Sequence, residues 1–342
     1  MTRYLVRFAA ILIAGALPAL ANITYQCDAS FTSDAPGGTC AYLNSTISGL
    51  YSSTFTNANA NIYITFGSTG LGQSQTALNV YTFSQYQGAY QTNLTSALNP
   101  DNATQTTAYN DNIATEPGLF GSNDIVLTSA LSNALGLGGT AGLDSSAGGC
   151  TLGNAGCYNA IITITSTTSD LWFRGLSGGS PNGSQYDFFS VVEHETDEVL
   201  GTSSCLPNCS AFFDPVDLFR YSSNAVRTLN TVGNNGTNCG ASSSTNACFS
   251  IDNGSTFIHQ WNNLNNGNDF ADWVTGCPGS PQIQDVTGCP GFANLDITND
   301  SGYEVTVLNA VGFDLQGVPE PGTMLITAAG LALLASRLRK RA

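Results

Sequence analysis

From Ser184 to Gly201 the chain reads SQYDFFSVVEHETDEVLG, and no other stretch constrains the fold as tightly. Ser184 and Asp187 form a Ser-x-x-Asp start signal ahead of an apolar run, and Gly201 is a natural stop, so the spacing predicts a helix over about 185–200. Phe188, Val192 and Val199 make one apolar stripe that Phe189 and Val191 widen, which requires burial of most of the helix. Into that frame the sequence sets Glu193, Glu195, Asp197 and Glu198, with no Lys or Arg four positions from any of them. Like-charged pairs one turn apart, Glu193 with Asp197 among them, each cost about a few tenths of a kcal/mol. A divalent cation would offset that cost.

His194 and Glu198 leave such a helix about 40° apart around its axis, nearly on one face, with Glu195 beside them. In the His-Glu-x-x-His pattern of zinc peptidases, the two residues four apart bind the ion. The Glu after the first His orients and deprotonates the attacking water. Here Glu198 stands at the second His position, and a carboxylate is a valid zinc ligand. Its added negative charge makes a bound water less acidic, so a slower enzyme or a more alkaline optimum is expected than for a three-His site.

The ends of the chain point to export. Arg3 and Arg7 precede an apolar run from Phe8 to Leu17, and Ala19-Leu20-Ala21 has the small-x-small form of a secretory cleavage site, so residues 1–21 read as a signal peptide. All ten cysteines lie beyond it, an even count that favours disulfides in an oxidising compartment. Nearest-neighbour pairs such as Cys27 with Cys40 and Cys239 with Cys248 fit the spacing, which does not fix the connectivity. Of the nine basic residues only three lie between 22 and 318, against 23 of the 24 acids, a balance of −20. Such a surface repels phosphate backbones and excludes nucleic acid as an expected partner.

Strand patterns run over Ala60–Phe66, Ala77–Phe83, Ala160–Thr165 and Leu171–Leu176. Helical patterns fit the opening stretch, Gln85–Leu98, Ser129–Leu135 and a closing helix at Tyr303–Val311. After Gly201 the chain turns Cys-, Gly- and Pro-rich and shows few regular patterns. Arg220 is expected to pair with a carboxylate, Asp197 or Glu193. NNGNDFAD at 265–272 is oxygen-rich and holds a Gly, so a structural Ca2+ stands beside a plain turn as its reading.

With HETDEVLG at 194–201, DLFRYS at 217–222, FSIDNG at 249–254 and YEVTVLNAVGFD at 303–314, the chain resembles exported bacterial metzincin or matrixin-like metalloproteases with a His-Glu-x-x-Glu motif. The resemblance implies a single zincin-like α+β domain over 22–317: a mixed twisted sheet packed on helices, the 184–200 helix as cleft floor, and a disulfide-rich C-terminal half. It implies zinc-dependent cleavage of a protein or peptide substrate, with Glu195 as general base and His194 and Glu198 as ligands. Two departures stand out. The metzincin third ligand, six residues after the second, falls on Ser204, and the turn beneath the metal lacks its Met. Asp217 and Asp214 are therefore the first choices for the third ligand. His259, the only other histidine, is a further one, against its reading as a packing residue.

The end VPEPGTMLITAAGLALLASRLRKRA resembles a PEP-CTERM sorting signal over 318–342, with Val318, Pro319, Glu320, Pro321 and Thr323 matching the motif before an apolar run and a basic cluster. It implies transient inner-membrane contact, removal by an exosortase-type transpeptidase, and an extracellular or cell-envelope destination. The contrasting expectation is a non-catalytic, cation-binding surface or matrix protein that keeps the fold. Glu198, Ser204 and the sorting tail favour it.

Overall fold

The computed structural model describes residues 21–96, 103–115, 123–209, 211–233, 239, 245–293 and 295–317. The expected signal peptide over 1–21, save residue 21, and the expected sorting tail over 318–342 lie outside the described residues. Six strands organise the first half: β1 (Asn22–Cys27), β2 (Asn59–Gly67), β3 (Gly72–Thr76), β4 (Leu78–Thr82), β5 (Asp124–Thr128) and β6 (Ala160–Thr165). Five helices matter to the site: α1 (Ser48–Thr54), α2 (Phe83–Leu94), α3 (Ser129–Ala134), α4 (Phe188–Leu200) and α5 (Tyr303–Val311). The architecture is mixed α+β.

The main sheet has the order β1-β2-β6-β3, parallel across its first three strands and antiparallel at β3. In β2, Ala60, Ile62, Ile64 and Phe66 are buried while alternate residues face outward, the period of a strand with one covered face. β6 carries buried side chains on both faces, as its near-continuous apolar run requires. β3, with the sequence GQSQT, has no apolar residue. It forms by pairing with β6, Gln75 opposite Ile161, and lies along α4 as an edge strand.

α4 begins about three residues later than the sequence start signal implies. Asp187 is the N-cap, its Oδ1 accepting from the Phe189 N–H at 3.1 Å, and Arg174 pairs with its other oxygen at 2.6 Å. Gly201, at φ 134°, ends the helix with a backbone conformation that favours glycine. Phe188, Phe189, Val192, Val199 and Leu200 are all fully buried in a core that runs from Ala21 to Phe313. Burying each of those side chains contributes on the order of 2 kcal/mol.

The expected strand at Leu171–Leu176 is shorter, reaching only from Leu171 to Trp172, where it pairs with Tyr186–Asp187. The second half holds β7 (Arg220–Ser223), β8 (Val226–Arg227), β9 (Cys248–Phe249) and β10 (His259–Gln260), an antiparallel sheet in the order β8-β7-β9-β10. Trp261 and Trp273 stack against it with centroids 4.0 Å apart. The cysteines pair with their neighbours: Cys27–Cys40, Cys150–Cys157, Cys205–Cys209, Cys239–Cys248 and Cys277–Cys289. Such a disulfide set fits an extracellular or secreted protein. No helix among the described residues is long and apolar enough to cross a membrane.

Candidate metal centre

α4 presents His194, Glu195 and Glu198 to a cavity of about 480 Å³, walled on one side by β3 and on the other by the segment around Ile283 and Val286. His194 Nε2 lies 3.6 Å from Glu198 Oε1 and 3.6 Å from Asp272 Oδ1. Each of the three residues offers a donor atom within 4.8 Å of the others. Zinc bonds of 2.0–2.2 Å arranged tetrahedrally put neighbouring donors about 3.3–3.6 Å apart, so this spacing fits such an ion.

The surroundings hold these donors in place. His194 Nδ1 lies 2.9 Å from the Ile283 carbonyl oxygen, a contact in which the ring N–H donates and Nε2 is turned toward the carboxylates. The Ser74 hydroxyl on β3 donates to Glu198 Oε2 at 2.6 Å. Gln284 donates from Nε2 to Asp272 Oδ1 at 3.1 Å, and the same nitrogen lies 3.3 Å from His194 Nε2.

Burial and the crowding of these groups shift their titration in opposite directions. Burial opposes an imidazolium, but Asp272, Glu198 and Glu195 outweigh it and raise the His194 pKa well above 6.5. Burial, reinforced by Glu198, pushes Glu195 well above the usual carboxylate range. Burial pushes Asp272 up to about 7 against the opposing pull of His194. Glu198 goes the other way: burial would raise it, but the His194 and Ser74 hydrogen bonds hold it below 4.5. The site thus gathers three carboxyl groups around one imidazole.

Glu195 packs directly beneath β3. A Cβ built on Gly72 would overlap its Oε1, so this close approach requires glycine there. Among the described residues its Oε2 is buried without a hydrogen-bond partner.

The structure brings Asp272, rather than the expected Asp217 or Asp214, into one group with His194 and Glu198. Asp217 and Asp214 are committed elsewhere: they cap the turn Pro215–Phe219, the Asp214 N–H donating to Asp217 Oδ2 at 3.1 Å, while the Ser204 hydroxyl donates to Asp217 Oδ1 at 2.7 Å. Neither belongs to the group that converges on His194. His259 is also outside it, stacked on Tyr303 at 4.8 Å and set edge-on to Trp273, with burial lowering its pKa. Arg220 does not reach α4. It donates to the Phe270 carbonyl and faces Asp217 and Asp269, and Arg174 is the base whose charge reaches Glu193.

Asp272 closes the oxygen-rich segment 265–272. Asp269 in the same segment accepts from the Ala271 N–H at 2.7 Å and the Ser204 N–H at 3.2 Å. No sequence signal distinguishes Gln284 or Ser74 from the many other amides and hydroxyls of this chain. Comparison of the chain with protein-family models, curated proteins and solved structures finds no match in any of the three.

Proposed function

We propose that the chain is an exported zinc-dependent endopeptidase with a zincin-like fold. The observation that carries this reading is the convergence of His194 Nε2, Glu198 Oε1 and Asp272 Oδ1 on one point of the cavity floor, with Glu195 alongside. A zinc ion held there would polarise a substrate carbonyl and acidify a water. Glu195, lining the cavity beside that point, is placed to take a proton from the water and return it to the leaving nitrogen.

β3 supports a peptide as the substrate. As the outer strand beside the cleft it offers backbone N–H and C=O groups to an extended chain, and strand addition is a general mode of peptide recognition. The secretory leader and the PEP-CTERM-like tail complete the reading: export, processing by an exosortase-type enzyme, and action outside the cell or at its envelope.

A second reading, a cation-binding surface protein without catalysis, draws on the burial of Glu195, which is only 5% exposed. Zinc content and a casein or peptide digest, run on the parent chain and on Glu195→Gln, separate the two. An endopeptidase gives one zinc per chain in both proteins and a loss of cleavage of at least about 100-fold in the variant. Stoichiometric zinc with no cleavage by the parent selects the second reading, and no bound zinc rejects the endopeptidase.

A further inference from the structure

We propose that Glu304, in the first turn of α5, is a positioning residue of the metal centre that locks together the two segments carrying Asp272 and the Ile283 carbonyl. This rests on the metal-site reading given above. Glu304 is fully buried and does not line the cavity, so it acts through what it holds. Its Oε1 accepts from the Trp273 indole N–H at 2.6 Å and from the Gln284 backbone N–H at 3.2 Å. One oxygen therefore bonds the neighbour of Asp272 and the neighbour of Ile283.

Trp273 forms backbone bridges with Trp261 and with Asp285, so the chain is extended at this point. Successive side chains of an extended chain leave on opposite sides, and an indole fixed in the core by Glu304 turns Asp272 toward the cavity. Main-chain bonds also join the two segments, from the Trp273 N–H to the Gln284 carbonyl at 2.8 Å and from the Val286 N–H to the Trp273 carbonyl at 3.0 Å. Those bonds set the register, whereas the Glu304 bond sets the rotation of the indole. Asp300, just ahead of α5, adds a third tie: its Oδ2 accepts from the Ile283 N–H at 2.9 Å, on the residue whose carbonyl holds His194 Nδ1. Burial, and after it the charge of Asp300, raise the Glu304 pKa well above the usual carboxylate range, which leaves a neutral acid. Glutamine has the same shape and keeps the accepting oxygen.

The test loads the metal-free full chain with Zn2+, by competition with a chromophoric chelator, and with Co2+, whose visible absorption reports ligand geometry. The chains compared are the parent, Glu304→Gln, Glu304→Leu and Trp273→Phe, with Tyr51→Phe as a control that removes a buried bond outside the cavity. One ion is expected in the parent, and Glu304→Gln is expected to match its cobalt spectrum with affinity within about threefold. Glu304→Leu is expected to bind at least about tenfold more weakly with an altered spectrum, and Trp273→Phe, which keeps a ring but no N–H, at least about threefold more weakly with the same alteration. Parent-like affinity in Glu304→Leu overturns the proposal. Weaker binding with an unchanged spectrum also overturns it, because that is what a loss of stability alone gives, as Tyr51→Phe would show. So does equal weakening in Glu304→Gln and Glu304→Leu, since the accepting oxygen would then not be what matters. Should circular dichroism show that Glu304→Leu does not fold, Trp273→Phe decides, and a parent-like spectrum there counts against the proposal. A parent that binds no ion overturns both this and the function reading, whereas a metal-binding parent with an indifferent Glu304→Leu overturns this alone.

Discussion

Asp272 Oδ1 and His194 Nε2 stand 3.6 Å apart, although one residue closes an irregular loop and the other lies mid-helix on α4. Loop and helix are pinned to one another by Gln284, which touches both side chains, and by the Ile283 carbonyl on His194. Catalytic and binding residues are commonly carried on loops that a rigid scaffold positions, and here the scaffold is α4 packed against the core.

Replacing the two rival aspartates separates a ligand from a capping residue. Asp272→Ala removes one of three charged or imidazole donors and is expected to weaken zinc binding by at least about 100-fold, as measured by chelator competition. Asp217→Ala is expected to keep zinc stoichiometry but to lower unfolding free energy by about 1–3 kcal/mol, because the Ser204 hydroxyl and the Asp214 N–H lose their acceptor. Comparable zinc loss in both variants would return the Pro215–Phe219 turn to the ligand set.

The closeness of β3 to Glu195 gives a second outcome. In Gly72→Ala the new methyl group overlaps Glu195 Oε1, so either the carboxylate or the edge strand must shift. A displacement of about 1 Å at a reacting group costs on the order of 100-fold in rate. Peptide hydrolysis in Gly72→Ala is therefore expected to fall by that order with zinc affinity within about threefold of the parent. Unchanged hydrolysis would mean that Glu195 does not act from its position beneath β3.

Much of the scaffold was legible because it is written in local patterns. The α4 stripe, the alternation in β2, the apolar run of β6 and the closing helix α5 match their sequence signals to within a few residues. β3 was not legible, because Gly72–Thr76 has no apolar period and becomes a strand only through β6. The site divides the same way. His194, Glu195 and Glu198 share one helix and can be read from their spacing. Asp272 joins them through a long-range arrangement of loops, and no periodicity encodes it. Asp214 and Asp217 looked equally suitable as oxygen donors, but a capping pair also needs two carboxylates three apart, and that local use took them.

Tyr51 on α1 reaches under α4 and donates its hydroxyl to Asp197 Oδ1 at 2.7 Å, while Asp197 Oδ2 has no partner among the described residues. Tyr51→Phe would leave a fully buried carboxyl with neither oxygen bonded. Its expected cost is about 1–3 kcal/mol in chemical denaturation, with little change in zinc affinity, since Asp197 faces the core rather than the cavity. A loss under about 0.5 kcal/mol would show that the hydroxyl bond is not what holds Asp197.

The buried acids predict an unusual dependence of stability on pH for the metal-free protein. Burial pushes Asp197 up to about 8 even though the Tyr51 hydroxyl pulls it down, and pushes Asp285 up to about 7 against its bonds from the Gln282 and Gly276 N–H groups. Glu193 and Glu304 are raised well above the normal range for the same first reason. An unfolded chain ionises these groups near pH 4, so between about 4 and 8 the folded state holds more protons than the unfolded one. Their contribution is thus complete below about pH 4 and is lost as pH rises through about 7 and 8. Asp144 has the opposite sign: the Ser146 hydroxyl and backbone bonds hold it below 3.8, so its contribution is lost only as the medium becomes strongly acidic. In chelator-treated protein the melting temperature is expected to peak between about pH 4 and 6 and to fall by about 5 °C or more by pH 9. Saturating zinc is expected to flatten the alkaline side, because an ion bound by the folded state adds stability there. A metal-free melting curve that rises from pH 5 to pH 9 would mean that these carboxyls are ionised in the folded core, with cations of their own or water to solvate them.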